Sequence, residues 1–205
     1  MKLGLELLSD LLGPDLIRLD HTCGMTVAQI YPAAIVRALT ILRDHPACGF
    51  RQLIDITAID YPNQQSRFKI VYNLLSHTQN QRLIITTFID ESTPLHSVTS
   101  VFECADWPER ELWDLFGIAF HDHPDLRRIL TDYTFGGHPL RKDFPLSGYG
   151  QVRYDPDQQR VAYEPVHLKQ PYRHFDFLSP WEGMPSSPKV ELPDGFRKTK
   201  GKTDA

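Results

Sequence analysis

The sequence predicts an α+β fold in which helices cover one face of an antiparallel or mixed sheet and an extended tail follows. Three observations predict it. Three β-rich runs succeed one another between residues 50 and 90 at the spacing of a meander. Helical periodicity comes before and after these runs, which is the order of an α+β sandwich. Six prolines beyond residue 164 exclude regular structure from the C-terminal segment, although aromatic residues interrupt it.

The N-terminal elements follow from local patterns. Leucines recur at helical spacing over residues 3–12, and Gly13-Pro14 ends that helix. Two runs, 16–20 and 25–30, are predicted strands. A proline suits the first turn of the next helix, 32–45, whose apolar side chains share one face.

The central elements are the meander and a second helical region. The strands are predicted at 50–60, 67–76 and 82–90, with turn-like polar residues between them. A helical region over 95–105 is then expected to lead into the motif DWPERELWDLFG at 106–117.

Beyond Phe120 the sequence becomes rich in Gly, Pro, His and charge, and two short strands at 151–155 and 160–164 are expected to pair as a hairpin. We therefore predict three parts of the chain. They are an α+β domain at 1–120, a motif region with the hairpin packed on that domain at 121–163, and a partner-binding tail at 164–205, disordered at its end.

The composition excludes several classes of protein. The 205 residues carry a net charge of −4, which argues against a nucleic-acid partner because phosphate binding needs a clustered basic surface. Cys23, Cys48 and Cys104 form no CxxC pair, so we interpret them as reduced core residues rather than ligands of zinc or an iron–sulfur cluster. The start resembles neither a secretory signal nor a transit peptide, and no run of about 18 apolar residues occurs. Membrane association is expected through a partner only.

The motif at 106–117 concentrates carboxylates, which raises the question of catalysis. Asp106 and Glu109 have the spacing of a capping box, Gly117 suits the C-terminal stop, and Arg110 and Asp114 have the spacing of an ion pair. Acid–base catalysis needs groups whose pKa values are pushed apart around a substrate cleft, and the pattern shows none. A structural role is therefore predicted.

Three further motifs have a functional and a structural interpretation. His121, Asp122 and His123 resemble metal ligands but lack an assignable further ligand, so a polar turn is favoured. The glycines at 135–139 lack the setting of a phosphate loop and indicate a tight turn. Four cations are either solvated surface or a docking patch for a partner's carboxylates: Arg127, Arg128, Arg141 and Lys142.

The run ERELWDLFGIAFHDHPDLRRILTDYTFGGHPLRKDFPLSGY, residues 109–149, closely resembles the signature of the C subunit of proton-pumping NADH:quinone oxidoreductase, respiratory complex I. The family pattern falls on Glu109, Arg110, Glu111, Asp114, Leu115, Phe116, His123 and Arg127. The segments GHPLRKDFPL and FDFLSPWEG also look like the family, so the resemblance extends to about Gly183.

The resemblance implies a scaffold subunit of the peripheral arm that packs against the D subunit, which helps form the quinone site. In this role it supports electron transfer from NADH to quinone coupled to proton translocation. The resemblance implies no flavin, iron–sulfur cluster, quinone, metal or catalytic residue in this chain. It implies that the FMN, iron–sulfur clusters and quinone of the holoenzyme are bound by other subunits. The implied location is the cytoplasmic face of a bacterial inner membrane, or the matrix side of the mitochondrial inner membrane. As structural or interface residues it points to Glu109, Arg110, Glu111, Asp114, Arg127, Arg128, Arg141, Lys142, Asp143, Phe175, Phe177 and Trp181.

Two alternatives stay open from the sequence. A homologous subunit of a membrane-bound nickel–iron hydrogenase or related dehydrogenase shares this domain. A stand-alone metal-dependent hydrolase would use Glu109, Glu111 or the His121/His123 pair, and stoichiometric zinc or iron would distinguish it.

Overall fold

The computed structural model describes residues 5–170, 172 and 173. The chain divides into two compact units, 1–166 and 167–205, and the second holds only six described residues. The fold and the site below lie in the first unit. Phe175, Phe177 and Trp181 of the predicted tail lie outside the described residues, and the domain boundaries predicted from the sequence stay predictions.

Helices and strands follow the predicted order over most of the described chain. They are α1 Leu5–Leu12, β1 Leu16–Thr22, β2 Met25–Ile30, α2 Ile35–Asp44, β3 Gln52–Asp60, β4 Phe68–Ser76, β5 Gln81–Ile89, β6 Leu95–His96, α3 Asp106–Phe116, β7 Phe120–His121, β8 Gly150–Asp155 and β9 Arg160–Pro165. Single turns of 3₁₀ helix precede α2 and α3 and follow α1.

The main sheet has five strands in the order β1-β2-β5-β4-β3. β3, β4 and β5 form the predicted antiparallel meander, whereas β2 runs parallel to β5. The chain leaves β2 through α2 and enters the sheet again at its far edge as β3, as a parallel crossover requires. The prediction of an α+β fold with a mixed sheet is confirmed.

The β1–β2 hairpin turns at Cys23-Gly24. Both residues have positive φ, +53° and +76°, and Thr22 pairs with Met25 directly across the turn. Two left-handed residues between paired strands match the twist of a hairpin, and glycine adopts that conformation without a steric cost.

One face of the sheet and all three helices share a single apolar core. Along β4 the fully buried side chains alternate with half-buried ones, so Ile70, Tyr72 and Leu74 point into the core. Leu12, Leu39 and Leu112 meet this face from α1, α2 and α3, respectively. Burying one such side chain contributes about 1.5–3 kcal/mol, so the core fixes the position of α3 on the sheet.

Two predictions about local structure were wrong. Residues 95–105 are not one helical region, because β6 pairs with β7 and a 3₁₀ turn forms only at Glu103–Ala105. The hydroxyl of Ser97 forms a hydrogen bond with the hydroxyl of Thr99 and also accepts the backbone N–H of Thr99. These local hydrogen bonds give the backbone an alternative to those of a helix. Of the three cysteines, Cys48 is buried in the core, but Cys23 and Cys104 are exposed, and all three are free thiols.

Within the described residues, no helix has the length and apolar character needed to cross a bilayer.

Candidate functional site: the buried charges of helix α3

Helix α3 buries three of its charged side chains. Glu109 and Asp114 are 0% exposed and Arg110 is 9% exposed, although the helix has only 11 residues. A buried charge is costly unless hydrogen bonds or an opposite charge compensate it. The partners of these three residues therefore indicate what the motif does.

Glu109 is held by the segment that precedes α3. Its Oε2 lies 2.6 Å from the Ser97 hydroxyl, and its Oε1 accepts the backbone N–H of Val98 at 2.7 Å. Burial raises the pKa of Glu109 to about 7; the two hydrogen bonds oppose that shift, and the charge of Asp106 adds to it. The carboxyl group thus ties β6 to α3.

The ring of His123 is fully buried and lies beside Glu109. Its Nδ1 accepts the backbone N–H of Asp125 at 3.1 Å, so the ring carries its proton on Nε2. Nε2 donates to the backbone carbonyl of Asp106 at 3.1 Å and lies 3.8 Å from Glu109 Oε2. His123 therefore ties the loop after β7 to the first turn of α3.

The predicted capping box is wrong. The N-cap position is Ala105, which makes no side-chain cap, and Asp106 is the first helical residue. The buried Oδ1 of Asp106 accepts no backbone N–H and lies 3.3 Å from Nε2 of His123. Glu109 cannot close the box because Ser97 and Val98 occupy its carboxylate.

The carboxylate of Asp114 accepts hydrogen bonds from the segment 128–131. One carboxylate oxygen accepts the N–H groups of Ile129, Leu130 and Thr131 at 2.8–3.2 Å. The other receives the Thr131 hydroxyl and Nη1 of Arg128, the latter at 2.7 Å. Burial alone would raise the pKa of Asp114, but the hydrogen bonds together outweigh burial and hold it well below its ordinary value.

Arg110 holds the same segment by its carbonyl groups. Its Nε donates to the carbonyl of Arg127 at 3.1 Å and its Nη2 to that of Arg128 at 3.2 Å. The predicted Arg110–Asp114 ion pair is therefore wrong, because each side chain finds backbone partners instead. One turn of α3 presents an acceptor and a donor that together fix an otherwise irregular segment.

The C-terminal end of α3 is closed by residues 138–141. Its last three carbonyl groups accept hydrogen bonds from Nδ1 of His138, the backbone N–H of Leu140 and Nε of Arg141, respectively. Gly117 turns the chain out of the helix at φ +76°, and a Cβ there would lie 2.6 Å from both the His138 ring and the Arg141 guanidinium. The helix end needs glycine for its conformation and for this close approach.

A second polar anchor lies at the end of β3. Asp60, whose side chain is fully buried, accepts two hydrogen bonds from Arg67, at 2.7 and 2.9 Å, and the backbone N–H of Lys142 at 2.8 Å. Arg67 also pairs with Asp143 at 3.0 Å and with Glu91, and Glu91 also pairs with Arg141. The hydrogen bonds from Arg67 lower the pKa of Asp60. The segment GHPLRKDF is thereby fastened to the sheet.

The cationic and acidic residues predicted for the site are either largely enclosed or exposed. Arg128 and Arg141 are each 16% exposed at the side chain, so the solvated-surface interpretation is wrong for both. Glu111, Arg127 and Lys142 present exposed side chains. Sequence reasoning missed Ser97, Asp60, Arg67 and His138. Only a contact between distant segments identifies them, and no local spacing signals it.

The histidine-rich turn after β7 is a polar turn. His121 lies against His96 with ring centroids 5.6 Å apart, and His96 pairs with Asp122 at 3.3 Å. His123 instead turns inward, as described above. In the described chain, no three His, Cys, Asp or Glu side chains are grouped so that they could hold a metal ion.

The fold is a mixed-sheet α+β domain in which the charges of one helix hold a long irregular segment, and comparison with known proteins gives its family. Residues 28–150 match the family model "Respiratory-chain NADH dehydrogenase, 30 Kd subunit". The chain belongs to this family.

Its relatives include three bacterial proteins, each named as the C subunit of NADH-quinone oxidoreductase. That of Methylobacterium sp. (strain 4-46) is 60% identical over 75% of this chain and 72% of its own length. That of Paramagnetospirillum magneticum is 53% identical over 85% of each chain. That of Rhodospirillum rubrum is 55% identical over 82% of this chain and 78% of its own length.

The fold also resembles a chain of the membrane-bound sulfane sulfur reductase, an archaeal respiratory membrane complex. The TM-score is 0.59 at 23% identity, over 69% of this chain and 85% of that one. At this identity the likeness concerns the fold alone.

Proposed function

We propose that this chain is a scaffold subunit, without catalytic residues, in the peripheral arm of NADH:quinone oxidoreductase, respiratory complex I. In this role it supports electron transfer from NADH to quinone coupled to proton translocation and packs against the quinone-site subunit. FMN, iron–sulfur clusters and quinone belong to other subunits of the holoenzyme. The chain reaches the cytoplasmic face of the bacterial inner membrane only through the complex.

One observation carries the scaffold role. The buried charged side chains of the family motif form their hydrogen bonds within the chain. Asp114 accepts three backbone N–H groups, and Arg110 donates to two carbonyl groups of the same segment. A catalytic carboxylate has to reach a substrate, whereas these groups are enclosed by their own chain. Relatives at 53–60% identity, all named as a subunit of NADH-quinone oxidoreductase, support the assignment to complex I rather than to a hydrogenase.

Copurification from mildly solubilised membranes tests the assignment. A tagged full-length chain is expected to bring down the quinone-site subunit and NADH:quinone activity, and deletion of its gene is expected to abolish that activity. Recovery of a nickel-containing large subunit instead would contradict the proposal. So would full NADH:quinone activity in membranes of the deletion strain.

The absence of cofactors is tested on the purified chain. Its optical spectrum is expected to show protein absorption only. A flavin band, or the charge-transfer absorption of an iron–sulfur cluster, would show that the chain carries redox chemistry of its own.

A further inference from the structure

A chain of hydrogen-bonded oxygen atoms leads from the buried carboxyl group of Glu109 to a partly exposed residue. Oε2 of Glu109 lies 2.6 Å from the hydroxyl oxygen of Ser97, which lies 2.8 Å from the hydroxyl oxygen of Thr99. Glu109 and Ser97 are buried, whereas Thr99 is half-buried. The three side chains therefore connect a carboxyl group enclosed in the core with a residue that is partly open to solvent.

The hydroxyl group of Ser97 can carry its proton in either direction. A serine hydroxyl donates one hydrogen bond and accepts two. When Glu109 is ionised, Ser97 donates to its carboxylate and accepts the hydroxyl and the backbone N–H of Thr99. When Glu109 is protonated, Ser97 accepts the carboxyl O–H and the same backbone N–H, and it donates to the hydroxyl of Thr99. Every hydrogen-bonding position of Ser97 is filled in both states, so reversal of the chain costs no hydrogen bond.

The other contacts of Glu109 offer no comparable route for a proton. Oε1 accepts the backbone N–H of Val98, and an amide N–H is a donor that cannot receive a proton in turn. Nε2 of His123 lies 3.8 Å from Oε2, and Nδ1 of this ring already accepts the backbone N–H of Asp125. The hydroxyl of Tyr72 has no hydrogen-bond partner in the described structure. The hydroxyl groups of the segment after β6 are therefore the route that the geometry favours.

Titratable side chains face Glu109 from several elements. Asp106 lies three residues earlier on α3, His123 follows β7, and Tyr72 lies on β4. Burial, and then the charge of Asp106, raise the pKa of Glu109, whereas the two hydrogen bonds lower it. Burial raises the pKa of Tyr72 well above its ordinary value, so this hydroxyl stays neutral. Glu109 is thus the group in this cluster that is placed to gain and lose a proton near neutral pH.

We propose that Glu109, Ser97 and Thr99 form a proton relay, by which the buried carboxyl group of Glu109 exchanges one proton with water while the domain stays folded. On release, the carboxyl proton passes to the oxygen of Ser97, the proton of Ser97 passes to the oxygen of Thr99, and the proton of Thr99 passes to water. Three O–H bonds break and three form, and one negative charge is left on Glu109. Uptake reverses these steps. The site lies within one chain and needs no other subunit.

Infrared spectroscopy of the full-length chain tests the relay. At pH 5 the carbonyl stretch of a protonated, buried carboxyl group is assigned to Glu109 by its disappearance in Glu109→Gln. Transfer into D₂O then shifts this band as the proton exchanges for deuterium. In the parent chain, this exchange is expected to be complete before the backbone amides of β4 exchange, because the relay does not require the fold to open.

Removal of either hydroxyl group is expected to slow the exchange. Thr99→Val keeps the shape of the side chain and should slow exchange of the carboxyl proton by about tenfold or more, because the proton then waits for a local opening of the fold. Ser97→Ala should have the same effect, and Thr99→Ser should restore the parent rate. Ser100→Ala removes an exposed hydroxyl next to the relay and, as the matched control, should stay within about twofold of the parent. A loosened fold would exchange faster, so destabilisation cannot imitate the expected slowing.

Three results would overturn the proposal. Absence of the assigned band from the parent at pH 5 would mean that Glu109 holds no proton there. Exchange of the carboxyl proton no faster than that of the β4 amides would mean that it exchanges only when the fold opens. Exchange in Thr99→Val as fast as in the parent would exclude Thr99 from the route, and slowing by Asp106→Asn instead would assign the route to His123.

Discussion

At the scale of single residues, Glu109 makes the fold sensitive to pH. Its pKa of about 7 in the folded chain lies above its ordinary value of 4.5. Between those two values the unfolded chain releases a proton that the folded chain retains, so the free energy of unfolding falls as pH rises. The expected loss is about 3 kcal/mol and develops mainly between pH 4.5 and pH 7.

Glu109→Gln is expected to abolish this pH dependence. The amide reproduces the protonated carboxyl group, accepting from Val98 and donating to Ser97, and it cannot ionise. The measurement is urea unfolding of the full-length chain and the variant at pH 5 and pH 8. The variant should be similar to the parent at pH 5 and more stable at pH 8. A parent and a variant with parallel pH profiles would show that Glu109 titrates normally in the fold.

Tyr72, unlike Glu109, buries a polar group that has no hydrogen-bond partner in the described structure. Its side chain is fully enclosed in the core and its oxygen forms no hydrogen bond in the described structure. Burial, and then the charge of Glu109, raise the pKa of Tyr72 well above its ordinary value.

Tyr72→Phe is therefore expected to stabilise the fold by about 1 kcal/mol, because it removes a polar group that water no longer solvates. Thermal and urea unfolding at pH 8 provide the measurement. A loss of more than about 1 kcal/mol would reveal a hydrogen bond to this hydroxyl.

At the scale of elements, the C-terminal end of α3 depends on the absence of a side chain at Gly117. Gly117→Ala is expected to destabilise the fold by about 2 kcal/mol or more, because alanine disfavours a φ of +76° and its Cβ would displace His138 and Arg141 from the last carbonyl groups of the helix.

Gly136→Ala is the matched control. Gly136 lies two residues before the segment 138–141 that closes the helix, its φ is not in the left-handed region, and no atom lies within 4 Å of an added Cβ. Its free energy of unfolding should stay within about 0.5 kcal/mol of the parent. Equal losses in the two variants would mean that the segment, rather than the helix end, is sensitive to substitution.

The elements themselves could be predicted from the sequence because periodicity reports which face of a strand or helix is buried. The meander and α2 occur at the predicted places, and the hairpin pairs as expected. The partners of Glu109, Arg110 and Asp114 could not be predicted. Capping-box and i, i+4 spacings describe an isolated helix, whereas the backbone of residues 98 and 127–131 competes for the same side chains once the chain is folded.

At the scale of the whole molecule, α3 and the end of β3 convert an irregular segment into a defined surface. Residues 127–131 are held by Arg110 and Asp114, and residues 138–143 by the last turn of α3 and by Asp60. Side chains in these anchors face inward, whereas the intervening and following apolar residues face outward. Arg110, Asp114 and Asp60 thus fix the position of a segment whose apolar side chains lie at the surface of the described chain.

Substitutions in the support are expected to reduce the amount of assembled enzyme without changing its turnover. Asp114→Asn and Arg110→Ala leave buried backbone groups unsatisfied, at a cost of about 3–5 kcal/mol where a buried charge is broken. Removing a general acid or base would instead leave assembly normal and lower turnover by roughly a hundredfold or more. The measurement is NADH:quinone activity per amount of the quinone-site subunit recovered in membranes.

Two exposed carboxylates complete that experiment. Glu103 precedes α3 and is exposed, so Glu103→Gln controls for loss of one negative charge near the helix and should change neither assembly nor turnover. Glu111, exposed on the helix itself, is one of the residues predicted to be structural or to lie at an interface. If it contacts a partner, Glu111→Ala should lower assembly while the free energy of unfolding of the isolated chain stays within about 0.5 kcal/mol of the parent. A normal amount of complex carrying Asp114→Asn or Arg110→Ala, with activity per complex reduced a hundredfold, would make α3 part of the catalytic machinery and refute the scaffold role.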